Sequence, residues 1–398
     1  MSVTYPRGFR AAGIAAGLKP SGRPDLGLLV ADVGATAAGL FTTNVVAAAP
    51  VVLGRERLAA GAPTAVLVNS GQANAATGER GLAEAATAAA AVAGHLGLDP
   101  ERVLPCSTGV IGEPVHMTEL LAALPELVAS LDPSGGPAFA NAIRTTDTVD
   151  KQATADTGGG IRVGGCAKGV GMISPNLATM LAFVTTDAAV ASDDLHRLAE
   201  EELAPRFNSL TVDACTSTND TVLLFASGAA GEPIVPGGAG WVELAAAVGE
   251  VGESLLRQLA ADGEGVTRVM LIEVRGAATE RDARVLAAAV ADSPLVKTAT
   301  FGADPNPGRI LQAVGAAGVA FDPDRLDVAI GGVEVARAGV IPPAYFEPGG
   351  ELHAAASTAM KEPEVAIGIT VGDGPGSSRA LGCDLSYEYV RINGEYTT

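Results

Sequence analysis

Lys168-Gly169-Val170-Gly171-Met172-Ile173-Ser174-Pro175-Asn176-Leu177-Ala178-Thr179-Met180-Leu181-Ala182-Phe183 is the stretch from which the rest of the chain can be read. A glycine-rich run, Gly158 to Gly171, leads into it, and the strand-like run Leu181-Ala182-Phe183-Val184 leads out. Glycine admits positive φ and close backbone approach, so the bond before Thr179 can sit in a strained turn. A threonine hydroxyl can attack the carbonyl of its own preceding residue if an oxyanion site lies nearby. Cleavage of Ala178-Thr179 would leave Thr179 with a free α-amine, which titrates near ~8 and can serve as base to its own hydroxyl. The same residues also read as a Gly-rich turn feeding a buried strand.

Outward from this stretch, composition sets the frame. The 398 residues are enough for more than one core, so two lobes or a two-chain product are both expected. Hydrophobic residues make up 48% and aromatics only 4%, which predicts a core of Ala, Val, Leu and Gly. A net charge of −19 argues against nucleic acid and anionic membrane surfaces. It also requires any site for an anionic substrate to be locally basic. The first residues, Met1 to Arg7, lack an apolar leader-like run, and Ala-rich runs such as Ala85–Ala93 are too weakly apolar to span a bilayer. A cytoplasmic location is expected. Cys106, Cys166, Cys215 and Cys383 are scattered without CxxC spacing, as reduced, mostly buried thiols would be.

The chain reads as strands at 28–30, 39–41, 51–53, 65–68 and 103–106, with helices near 79–96, 117–131 and 137–144. Beyond the central stretch, 193–204 and 241–261 have helical spacing. Thr211-Val212-Asp213 and 221–225 read as a hairpin around Ser217-Thr218-Asn219-Asp220. Strands are predicted at 269–274, 296–301 and 365–371, and helices at 280–292 and 308–318. Without strict alternation the pattern predicts a layered α/β or α+β fold. There is no internal repeat and no clear linker, so the favoured boundary is the bond before Thr179.

Other chemistries find no support. His95, His116, His196 and His353 show neither HExxH nor pairing with cysteine at ligand spacing, so no metal site is expected. No GxSxG elbow, Walker loop or strand-linked GxGxxG is present, and no cofactor is expected. An amino-terminal threonine needs no histidine.

The motif Lys-Gly-x-Gly-Met-Ile-x-Pro-Asn-x-Ala-Thr-Met-Leu resembles the self-cleaving segment of the ornithine acetyltransferases, the bifunctional glutamate N-acetyltransferases. The resemblance runs almost end to end: Asn69–Ala75, Ser107–Gly112, Thr145–Thr148, Thr211–Asp213, Thr216–Thr221, Asp262–Gly265, Asp304–Asn306 with Gly308-Arg309, and Arg391–Thr398. It implies a layered, DmpA-like fold of the N-terminal-nucleophile type, cut into residues 1–178 (α chain) and 179–398 (β chain) and assembled as an α2β2 heterotetramer. Thr179 would be the nucleophile of cleavage and of ping-pong acetyl transfer from N2-acetyl-L-ornithine to L-glutamate, in arginine biosynthesis. Thr108 and Gly109 match the oxyanion pair. Thr145, Lys168, Glu264, Asn393 and Thr398 match substrate-contacting positions, with Lys168 suited to the substrate carboxylate and Glu264 to the ornithine ammonium. Bifunctional members also accept acetyl-CoA as a co-substrate. Two positions depart from the family pattern: Pro307 stands where tryptophan is usual, and Gln72 where asparagine is. Pro307 would reshape its loop and the acceptor preference. Three alternatives stand beside this reading: a related self-cleaving aminopeptidase or amidohydrolase, a secondary-metabolism acetyltransferase, and a non-catalytic interaction protein.

Overall fold

The computed structural model describes residues 2–32, 34–61, 63–174, 180–347 and 349–395. Ala178, Thr179 and Thr398 therefore lie outside the described residues. By packing, the chain forms two compact units, one built from the described residues of Met1–Asn208 and Cys215–Leu259, the other from Ser209–Ala214 and Ala260–Tyr396. The bond before Thr179 falls inside the sequence of the first unit, so the packing boundary is elsewhere.

In the first unit the elements follow as β1 (Phe9–Ile14), β2 (Leu26–Ala31), β3 (Thr36–Phe41), α1 (Ala49–Ala60), β4 (Ala65–Gln72), α2 (Gly78–Leu96), β5 (Val103–Val110), α3 (Met117–Ala129) and α4 (Gly136–Ala142). Then come β6 (Lys151–Asp156), β7 (Arg162–Lys168), β8 (Leu181–Thr186), α5 (Ser192–Leu198), α6 (Ala204–Phe207), β9 (Thr221–Ala226) and α7 (Ala239–Ala261). Two sheets result, ordered β1-β2-β4-β5 and β3-β9-β8-β7-β6.

Side-chain alternation explains why these sheets layer. On β4, Val66 and Val68 enter one core while Ala65 and Leu67 enter another. Successive residues of a strand face opposite sides, so a strand apolar at every position must be covered on both. The first core is shared by the two sheets: Leu29, Val68 and Leu104 meet Phe183, Leu223 and Phe225 there. Phe139 of α4 meets Phe183 edge-on at 5.1 Å between ring centres in the same layer. The second core packs the outer face of the first sheet on α2 and α3 through Ala89, Val92, Leu120 and Leu124. On the far side, Val251 and Leu255 of α7 come so close to Gly165 of β7 that a Cβ there would clash. Helix, sheet, sheet, helix is the order of layers, the layered α/β arrangement expected from the mixed pattern.

The second unit is built on β10 (Val269–Ala277), α8 (Glu280–Asp292), α9 (Pro294–Phe301), α10 (Pro307–Ala316), β11 (Asp327–Ile330), β12 (Val333–Ala336), α11 (Glu351–Ala359), β13 (Glu364–Thr370), β14 (Gly376–Cys383) and α12 (Tyr387–Glu395). Its sheet runs β12-β11-β13-β10-β14, with β10 and β13 parallel. Met270, Ile272 and Val274 meet Leu286 and Val290 of α8 in its core.

Three expected strands fail. Residues 51–53 belong to α1, where Pro50 sits in the first turn, the position where its fixed φ favours a helix. Residues 296–301 belong to α9, which Ser293 caps by accepting the Val296 N–H and Pro294 begins. Thr211-Val212-Asp213 forms no hairpin with 221–225, because β9 pairs antiparallel with β3 and parallel with β8. Pro307 opens α10, and Asn306 caps it by accepting the Arg309 N–H at 3.2 Å. A proline in the first turn loses only an N–H that the helix leaves unpaired anyway, which accommodates this departure from the family pattern.

Candidate active site

The site residues in the first unit gather where β4, β5 and β7 end and β8 begins. β4 and β5 are parallel and in register, placing Ser70 beside Thr108 and Gly71 beside Gly109. Gly109 has φ +134°, and a Cβ there would fall 2.2 Å from the Gly71 carbonyl. Only glycine fits, and its backbone is left free of side-chain cover.

Lys168 ends β7 and pairs across the sheet with Leu181, the second residue after Thr179. It is buried, and its Nζ donates to Thr108 Oγ1 at 2.9 Å. A hydroxyl has one hydrogen to donate and lone pairs to accept with. By accepting from the ammonium, Thr108 keeps its own hydrogen for another oxygen and becomes a stronger donor. The lysine expected to attract a substrate carboxylate is thus placed on Thr108, the residue expected to serve an oxyanion.

Behind Lys168 lies a carboxylate for which the sequence suggested no role. Asp147 Oδ1 accepts from Lys151 Nζ at 2.6 Å and from the Gly169 N–H at 2.8 Å, while Oδ2 accepts from the Thr145 N–H at 3.1 Å. Burial works to raise its pKa, but the charges of Lys168 and Lys151 outweigh burial and hold it at about 2. One ionised group thereby fixes the backbone at Thr145 and at Gly169. Asp150 and Asp147 O engage Arg144, and Lys19 Nζ reaches the Arg144 carbonyl at 2.6 Å, so the Thr145 loop is tied on several sides. Gln72 donates to Leu18 O at 2.9 Å, serving the fold rather than the site.

A second buried carboxylate, Asp220, accepts the Met180 N–H on Oδ1 at 2.9 Å. Burial drives it well above the usual carboxylate range, against the opposing pull of that N–H and of the Lys168 charge. Its neighbour Asn219 donates to Ser107 O at 2.8 Å and Ala73 O at 2.6 Å. In sequence this dipeptide reads as part of a hairpin turn; a polar pair directly before the buried strand β9 is the signal that sets it apart.

Thiols are removed as nucleophiles here. Burial pushes Cys106 up to about 12, and Cys166 is raised likewise. Among the described residues no group of three or more His, Cys, Asp or Glu could hold a metal ion, and no helix is long and apolar enough to cross a membrane.

In the second unit, the turn Asp262-Gly263-Glu264-Gly265 brings Glu264 to α12, where Asn393 Nδ2 donates to its Oε2 at 2.9 Å. Gly265, with φ +68°, permits the approach: a Cβ there would meet the Tyr389 nitrogen at 2.4 Å. The expected substrate residues Glu264 and Asn393 are therefore direct partners.

The model of the ArgJ family matches residues 10–398. The chain belongs to the ArgJ family. Among ArgJ relatives, the "Arginine biosynthesis bifunctional protein ArgJ" of Parasynechococcus marenigrum is 49% identical, covering 100% of this chain and 95% of that protein. The Symbiobacterium thermophilum protein of the same name is 47% identical, over 100% of this chain and 98% of its own. Among solved structures, ArgJ of Bacillus halodurans is 38% identical with a TM-score of 0.51, covering 55% of this chain and 100% of that one. The ornithine acetyltransferase of Mycobacterium tuberculosis, solved with ornithine, is 44% identical, with a TM-score of 0.43 and coverage of 44% and 94%.

Proposed function

We propose that this ArgJ-family chain is an acyltransferase that moves an acetyl group from N2-acetyl-L-ornithine to L-glutamate through an acetyl-Thr179 ester. The observation that carries the reading is the buried Lys168–Thr108 hydrogen bond beside Gly109, on the strand end that pairs with Leu181. It supplies a polarised hydroxyl for an oxyanion, next to the sequence that presents the nucleophile.

In the precursor, Thr179 Oγ attacks the Ala178 carbonyl carbon, the peptide nitrogen leaves with a proton, and water hydrolyses the resulting ester. The products are residues 1–178, ending in a carboxylate, and residues 179–398, beginning with an α-amine. That amine then takes the Thr179 hydroxyl proton as Oγ attacks the acetyl carbonyl. Negative charge on the carbonyl oxygen is met by the Thr108 hydroxyl and the Gly109 backbone. The C–N bond breaks, the proton passes to the departing ornithine amine, and acetyl-Thr179 remains. Glutamate's α-amine attacks the ester carbonyl, and Oγ leaves with the proton regained.

Thr145 and Lys168 would face the amino-acid end of both substrates, and Glu264 with Asn393 the ornithine ammonium; Thr398 is carried over from the family. Acetyl-CoA as a second donor, an α2β2 assembly and a cytoplasmic location complete the proposal. Intact mass spectrometry before and after N-acetylornithine tests it. Two chains of 178 and 220 residues, the larger gaining one acetyl group, are expected; a stable uncut chain with no acetyl adduct would overturn it.

A further inference from the structure

Acetyl transfer as proposed gives no part to Thr218-Asn219-Asp220, yet all three side chains are buried. Asn219 and Asp220 are 6% and 0% exposed. The Asn219 amide is fully employed: Nδ2 donates to Ser107 O and Ala73 O, and Oδ1 accepts from Thr218 Oγ1 at 2.6 Å. Ser107 O belongs to the peptide whose N–H is that of Thr108. Asp220 Oδ1 holds the Met180 N–H, and Thr221 N donates to Met180 O at 3.1 Å, so both ends of Met180 are fixed. Two adjacent side chains thus grip the peptide preceding the oxyanion threonine and the peptide following the nucleophile.

One atom remains. Asp220 Oδ2 is buried and makes no hydrogen bond among the described residues. A buried polar atom without a partner costs about 1–3 kcal/mol, and such atoms in native proteins call for an explanation. Cleavage before Thr179 would create a carboxylate on Ala178 and an α-amine on Thr179; of the two only the amine can donate to a carboxyl oxygen at neutral pH, and it stands three covalent bonds of about 1.3–1.5 Å each from the Met180 nitrogen that Asp220 already holds.

We propose that Asn219 and Asp220 are the positioning residues of this reaction: Asn219 fixes the oxyanion strand relative to the nucleophile, and Asp220 Oδ2 receives the α-amine that cleavage exposes. The inference rests on the acetyl-threonine reading. Until cleavage, the carboxyl holds the Met180 N–H on Oδ1, and burial favours its proton. An α-amine that donates one N–H to the vacant oxygen would be left with its lone pair free for the hydroxyl it must deprotonate. The role given to Asp220 is therefore indirect: it acts through the orientation of the amine.

The two steps separate the roles. Asp220→Asn keeps an amide oxygen for the Met180 N–H but no longer offers a second acceptor. Expressed as the full chain, it should cleave within about threefold of the wild-type rate, by intact mass against time. Its kcat for acetyl transfer should fall at least about tenfold, with KM for N-acetylornithine and glutamate unchanged, the pattern of a group acting beyond ground-state binding. Asn219→Ala releases the oxyanion strand and should slow both cleavage and transfer, by up to roughly a hundredfold for a displacement near 1 Å. Where Asn219→Ala fails to fold, judged by thermal unfolding, Asn219→Asp replaces the donor at equal size and carries the same expectation. Wild-type kcat in Asp220→Asn, or cleavage and transfer lowered by one common factor, would overturn the amine assignment. Unchanged rates in the Asn219 variants would overturn the tie between strands. A wild-type protein that neither cleaves nor acetylates fails earlier, and marks the functional reading itself as wrong.

Discussion

Asp147 and Asp220 are both buried carboxylates within reach of the Lys168 charge, yet their surroundings push them in opposite directions. Asp147 has Lys151 in contact and accepts two backbone N–H groups, and it is held ionised at about 2. Asp220 has one backbone N–H on Oδ1 and the Ser217 hydroxyl beside it, and burial outweighs both and raises it well above the carboxylate range. The difference teaches that burial alone does not assign a role. A carboxylate whose lone pairs are all taken is a clamp, and one kept half-satisfied is poised for something that arrives later.

Removing each carboxylate sharpens that contrast most. Asp147→Ala leaves the Lys151 ammonium buried without its carboxylate and should cost about 3–5 kcal/mol in urea unfolding. Asp220→Ala removes an unsatisfied oxygen together with one hydrogen bond, and should cost about 1 kcal/mol or less. Equal losses would break the distinction.

The charge the two carboxylates share can be removed instead. Lys168→Met deprives Thr108 of a charge-assisted donor, a loss of about 1.5–3 kcal/mol, so kcat should fall roughly ten- to a hundredfold. A change confined to KM would return Lys168 to binding the substrate carboxylate.

Acid unfolding reads the same contrast by sign. Asp147 has a depressed pKa, so it favours the fold above about pH 4 and loses that contribution, about 2 kcal/mol, as pH falls toward 2. Asp147→Asn should flatten stability over that window. Asp220 is raised, so its penalty grows as pH rises instead, and Asp220→Asn should be relieved near neutrality.

The smallest effect is expected in the second unit. Glu264→Gln keeps a hydrogen bond with Asn393 and should weaken N-acetylornithine by less than about tenfold, sparing glutamate. Equal losses for both substrates would remove the ammonium assignment.

Much of this was legible in the chain. The apolar runs that open β4 and β5 could only be covered strands, and Thr108, Gly109 and Lys168 stand in motifs the structure brings together. What escaped has physical causes. Val296, Thr298 and Thr300 alternate like a strand, but Ser293-Pro294 before them is a helix start, and the cap prevails over the alternation. Val51-Val52-Leu53 reads as β-branched, yet Pro50 and the burial of Val51 and Gly54 fix a helix. Asp147 and Lys151 are four apart without a helix between them, so no periodicity announced their ion pair. Asn219 and Asp220 acquire meaning only from backbone groups at Ala73, Ser107 and Met180, which no local window contains.

Met180 is gripped by a side chain forty positions further on, and β8 pairs in parallel with the strand that follows it. Such a contact forms late, after the intervening chain has returned to the sheet. With cleavage at Ala178-Thr179, the cut becomes a seal of completion: a nascent or misfolded chain lacks the grip and stays whole. The ratio of two bands to one on a denaturing gel would then count finished molecules, and the enzyme would carry its own record of having folded.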